Sequence, residues 1–120
     1  MRRISRFAPL VFLLFAAAPM ALAHAILVRS IPADRSVVHS RIVNMTLDFN
    51  SRIDASRSTL TLTGPTGRNV PVQVQPSKGP SQLKGKADNL ASGAYHIHWQ
   101  VLASDGHITR GDITFTVAKE

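Results

Sequence analysis

Two short stretches of this chain carry residue types that bind metal ions. The first is His24, which directly follows Ala21-Leu22-Ala23. That small-x-small pattern is what signal peptidase reads. A cut after Ala23 makes histidine the first mature residue, with a free α-amine and an imidazole on the same residue. An α-amine has an ordinary pKa of about 7.7–8.0, low enough for a metal to displace its proton at neutral pH. The second stretch is Ser104-Asp105-Gly106-His107. Asp105 and His107 are two apart, so in an extended segment their side chains emerge on one side. Gly106 between them lets the backbone bend close to a bound ion. Amine, two imidazoles and one carboxylate make three nitrogens and one oxygen, a set suited to tetragonal Cu(II). Alone, a D-x-H turn reads as a hairpin satisfied by its own backbone. A processed N-terminal histidine tips the reading toward a metal.

Composition narrows the chemistry further. The chain contains no cysteine, which excludes disulfides, thiolate metal sites and cysteine nucleophiles. Ligands must therefore be nitrogen or oxygen donors, or Met45, the one methionine after residue 23. Arg2, Arg3 and Arg6 precede the apolar run from Phe7 to Met20, as in a secretory leader. The run is short of the roughly 20 residues that cross a bilayer. Residues 1–23 are expected to be a cleaved signal peptide and residues 24–120 a single exported domain. Lys+Arg number 14 against 7 acids, and the three leader arginines leave a net charge of +4 on the mature part. The remaining basic residues are scattered, and one Trp and one Tyr make no stacking platform. No nucleic-acid partner is expected.

The elements that must position these residues read as strands. Arg41–Phe49 alternates, with Val43, Met45, Leu47 and Phe49 on one face, the period of a half-buried strand. Ser58–Thr63 repeats the pattern with Leu60 and Leu62. Gly64-Pro65-Thr66-Gly67 is a turn, and Val70–Val74 is again extended. Tyr95–Val101 alternates Tyr95, Ile97, Trp99 and Val101 against His96, His98 and Gln100, and Gly111–Val117 does so with Ile113, Phe115 and Val117. Gln75–Lys86, rich in Pro, Gly, Ser and Lys, reads as a surface loop. No stretch after residue 23 has a helical period. The expected fold is all-β, an antiparallel sandwich or barrel of Greek-key type.

Several motifs in one order resemble the CopC family of periplasmic copper-resistance proteins. They are His24-Ala-Ile-Leu-Val-Arg-Ser-Ile-Pro-Ala-Asp34, Leu47-Asp48-Phe49, Gly93-Ala-Tyr95-x-Ile-x-Trp99, Ser104-Asp-Gly-His107 and Gly111-x-Ile-Thr-Phe115. The resemblance covers essentially all of residues 24–118. It implies a seven-stranded Greek-key β-barrel or sandwich, cupredoxin-like or Ig-like in shape, that carries copper in the periplasm. It places one Cu(II) on His24 (amine and ring), Asp105 and His107, and it implies a membrane copper transporter of the CopD type as partner. A monomer is expected. Two departures stand out. Some members follow the L-x-F strand with a glutamate ligand, where this chain has Ser51, so Asn50 and Ser51 offer at most a weak contact. Other members hold Cu(I) on a Met-rich loop, but 64–86 contains no methionine. Met45, on an inward face, reads as core filling.

A rival reading is a copper oxygenase, because an N-terminal His with a second His resembles the histidine brace of polysaccharide monooxygenases. Asp105 argues against it: a hard carboxylate favours Cu(II) over Cu(I) and fills a position that oxygen activation needs open. The expectation is a binding protein, not an enzyme. Three histidines remain. His96 and His98 have a spacing that can hold a metal, but a solvated strand face is the simpler expectation. His39, in an early loop, is a minor candidate for a further ligand.

Overall fold

The computed structural model describes residues 24–119, and the expected leader lies outside them. Nine strands and no helix make up the described residues: β1 Leu27–Ile31, β2 Ser36–Val38, β3 Val43–Phe49, β4 Ile53–Thr63, β5 Asn69–Val70, β6 Gln73–Gln75, β7 Gln82–Ala87, β8 Gly93–Ala103 and β9 Ile108–Val117. Six of the nine have five residues or more, and β2, β5 and β6 are segments of only two or three.

The strands form two sheets, ordered β1-β3-β7-β6 and β2-β9-β8-β4-β5. The chain crosses between the sheets at β1/β2, β2/β3, β3/β4, β5/β6 and β7/β8, the repeated crossing of a Greek-key sandwich. All pairings are antiparallel except β2 with β9, where Ser36 to Val38 run parallel to Phe115 to Val117. One core joins the sheets. Val43, Met45, Leu47, Phe49 and Leu83 come from the first, and Leu62, Tyr95, Ile97, Trp99, Val101, Ile113 and Phe115 from the second. Period-2 alternation accounts for this, since every second residue of β3, β8 and β9 turns inward. Phe49 and Trp99 meet edge-to-face across the sandwich at 5.2 Å. Such a pair contributes about 0.5–1.5 kcal/mol beyond its buried area. Met45 is fully buried, as its inward position on β3 predicts.

One segment departs from expectation. Gln75–Lys86 is a loop only over 76–81, because β7 begins at Gln82 and pairs with β3 on one side and β6 on the other. Its inward residues are Leu83, Gly85 and Ala87, of which only Leu83 is large and apolar. Gly85 has no room for a side chain: a Cβ there would stand 2.8 Å from a methyl of Val72. The expected strand Val70–Val74 is also interrupted. Pro71, which has no N–H to donate, separates β5 in one sheet from β6 in the other.

Candidate metal centre

β8 and β9 are joined by Ser104–His107, and this connection is a turn. Gly106 has φ 86°, a left-handed conformation that glycine adopts without strain. Ala103 N–H donates to His107 O at 2.8 Å and Gly106 N–H to Ala103 O at 2.9 Å, closing the turn. Asp105 folds back over it. Its Oδ1 accepts the His107 N–H at 3.0 Å, and its Oδ2 lies 2.5 Å from His107 Nδ1. The two side chains therefore meet through a side-chain-capped turn rather than through strand alternation.

His24 reaches the same end of the sandwich along the edge strand β1. Ala25 is buried and its carbonyl accepts a hydrogen bond from Thr109 Oγ1 at 2.9 Å, tying the segment to the start of β9. Ile26 is held on the other side: its N–H donates to Asn50 Oδ1 at 2.8 Å and its carbonyl accepts from Asn50 N–H at 2.9 Å. Residue 24 is thereby set beside the turn. The His24 and His107 rings meet edge-to-face at 4.9 Å between centroids. One ligand-type atom from each of His24, Asp105 and His107 lies within 4.8 Å of the others, and all three residues are exposed. The His107 backbone N–H, followed by the ring and positive charge of His107 and the charge of His24, holds the Asp105 carboxyl below its ordinary range.

The remaining candidates lie elsewhere. His39 follows β2, whose last residue pairs with Val117, so it sits at the far end of β9 from the turn. His96 and His98 point outward from β8, with Thr114 and Asp112 of β9 as their register partners. Asn50, weighed as a weak ligand, uses its side-chain oxygen to pin Ile26. The Ser51 hydroxyl is buried without a hydrogen-bond partner. Thr109, which no sequence signal marks, and Asn50, which the sequence offered only as a weak ligand, are positioning residues, each acting on the backbone of residues far away in the chain.

Residues 27–118 match the model of the CopC domain. Protein YobA of Escherichia coli strain K12 is 33% identical over 104 residues, 82% of this chain and 82% of its own. Copper resistance protein C of Xanthomonas campestris pv. juglandis is 31% identical over 109 residues, 84% of this chain and 85% of its own. The crystal structure of CopC from Methylosinus trichosporium OB3b superposes with a TM-score of 0.71 at 30% identity, over 78% of this chain and 93% of that one. With residues 27–118 matching the CopC domain and a relative named for copper resistance 31% identical over 84% of the chain, this chain belongs to the CopC family, and its function is a copper-related one.

Proposed function

We propose that this protein is a periplasmic, non-catalytic Cu(II) carrier that binds one ion per chain on His24, Asp105 and His107. The observation that carries the proposal is the convergence of three ligand-type atoms within 4.8 Å at an exposed turn. A cut after Ala23 converts the amide nitrogen of His24 into an α-amine and supplies the fourth donor. Residues 24–120 then act as one copper-binding domain, a monomer that passes its ion to a CopD-type transporter in the inner membrane. Three nitrogens and a hard carboxylate favour Cu(II) over Cu(I) and over other divalent ions. Asp105 is already ionised and held in place before the ion arrives, so capture does not wait on its deprotonation. Exposure of all three residues leaves the ion open to ligand exchange with a partner. In a chain without thiolate, the copper form is type 2 and only pale blue.

The test compares two forms of the protein, one beginning at His24 and one with a single Gly before it. Both keep every side chain, but the extension moves the amine out of the chelate. Competition for Cu(II) should show a loss of about 3 kcal/mol or more in the extended form, a hundredfold or greater at 1.4 kcal/mol per decade. Its EPR spectrum should lose one nitrogen coupling. Equal affinities remove the amine from the site. The copper form should not turn over ascorbate; sustained peroxide release would instead favour the oxygenase reading.

A further inference from the structure

The outer face of the five-stranded sheet carries a second set of ligand-type side chains, remote from the turn. His96 and His98 point outward from β8 between the inward Tyr95, Ile97 and Trp99, and both are exposed. Two residues along a strand span about 6.6 Å, and side chains at that spacing share a face. Rotation of two exposed imidazoles closes that span on one ion, with metal–nitrogen bonds of about 2.0–2.1 Å. β9 supplies the third group. Asp112 pairs in register with His98, and its Oδ1 stands 2.9 Å from His98 Nδ1. A carboxylate only accepts, so Nδ1 supplies the hydrogen, and in the neutral ring the lone pair is then on Nε2. Metal-ligating histidines are commonly oriented in this way, through a carboxylate on the other ring nitrogen.

The surroundings leave room for an ion. On the β4 side the register partners of His98 and His96 are Thr61 and Thr63, and on β9 the partner of His96 is Thr114. The nearest cation along β9, Arg110, pairs with Gln100 one row away, and its Nε donates to Gln100 Oε1 at 2.7 Å. A bare His-x-His on a strand is a solvated face by default; the carboxylate fixed on His98 is what sets this one apart.

We propose that His96 and His98 form a second, weaker site for a divalent transition-metal ion, with Asp112 orienting His98. Cu(II) binds it ahead of Ni(II) and Zn(II), the order that such ions follow at nitrogen sites. With two protein nitrogens in place of four donors, this site fills only after the turn cluster is loaded, so the chain carries two ions when copper is abundant. It rests on the β8–β9 register and the His98–Asp112 contact, and is independent of the amine at His24.

The test titrates untagged protein beginning at His24 with Cu(II), read by calorimetry and EPR. A second equivalent should follow the first, about a hundredfold or more weaker because it has fewer nitrogen donors. His96→Gln and His98→Gln should each abolish it and leave the first unchanged. Asp112→Asn should weaken it by about 10–100-fold, the usual effect of losing an orienting partner. A His24→Ala, Asp105→Ala, His107→Ala triple variant, which also removes the chelating ring beside the amine, should keep the weak equivalent alone, which separates failure of this site from failure of the turn cluster. In unsubstituted protein with the tight site filled, further Cu(II) should broaden the NMR ring signals of His96 and His98 before those of His39. A titration that ends at one equivalent, a weak equivalent that survives both His→Gln changes, or broadening led by His39 overturns the proposal.

Discussion

Asp105 has two separable roles at the turn: its Oδ1 caps the His107 N–H, and its charge faces two histidines. Asp105→Asn keeps an acceptor oxygen for the cap and removes the charge, whereas Asp105→Ala removes both. If the carboxylate is a ligand, both changes should weaken Cu(II) by about a hundredfold or more, near 3 kcal/mol. His107→Ala should do the same, and His39→Ala nothing. Because the His107 side chain is exposed and Asp105→Asn keeps an acceptor for the cap, the melting temperature of these two metal-free variants should stay close to the parent, within about 0.5 kcal/mol for Asp105→Asn. Competition binding and thermal unfolding of the same preparations check both halves. A fall in stability equal to the fall in affinity would make Asp105 a structural residue only.

At the scale of elements, two contacts between neighbouring strands set further expectations. Asp34, just ahead of β2, accepts the Thr114 N–H at 2.9 Å and lies near the Thr114 hydroxyl at 3.3 Å, bridging the β2 segment to β9. The Thr114 backbone hydrogen bond is the main cause that holds its carboxyl below the ordinary value, with the hydroxyl and Arg35 adding to it. A carboxyl lowered in the fold stabilises it fully above its unfolded value, about 3.9. The contribution is lost as pH falls through the lower folded value. Asp34→Asn should therefore cost stability at pH 6 and progressively less below about pH 4, measured by urea unfolding across that range. A pH-independent difference would show that the charge plays no part. The second contact is Gly111, paired with Trp99 across the hairpin. A Cβ at 111 would stand 2.4 Å from Trp99 Cζ2, and the indole is held by Phe49 behind it. Gly111→Ala should destabilise by about 1–3 kcal/mol, as overpacking does. In a domain of this size that is about 4–8 °C per kcal/mol, with a shifted Trp99 emission. An unchanged melting temperature would mean that the ring moves freely.

The whole molecule couples the ion to the fold, because the three residues of the cluster lie near one another only when β1 and the β8–β9 hairpin are in place. The unfolded chain separates His24 from Asp105 and His107 by some eighty residues. An ion that binds only the folded state adds about 4 kcal/mol at a thousandfold excess over its dissociation constant. Copper should therefore raise the melting temperature by more than about ten degrees. Zinc, which prefers a tetrahedral site, should raise it clearly less. Scanning calorimetry with and without each ion decides this. Equal shifts would point to a different geometry at the turn.

The amino-acid sequence by itself determined the strands whose inward positions are all large and apolar. In β3, β8 and the second half of β9, alternation alone states which side is core. It also marked His24, Asp105 and His107 as candidates, because residue type limits which side chains can bind a metal. It did not reveal β7, whose burial comes from its neighbours β3 and β6 and whose inward glycine and alanine carry no apolar signal of their own. Nor did it reveal β1, an edge strand with a bulge between Leu27 and Arg29 and without a regular burial pattern. Only the tertiary structure decided which histidines meet. Local spacing treats His96, His98 and His39 as alike in kind to His107. The register of β8 on β9 sends the first two to the outer face, the parallel pairing of β2 sends His39 to the far end, and Thr109 and Asn50 bring His24 to the turn. Those are hydrogen bonds between residues distant in the chain, and no pattern along it encodes them one residue at a time.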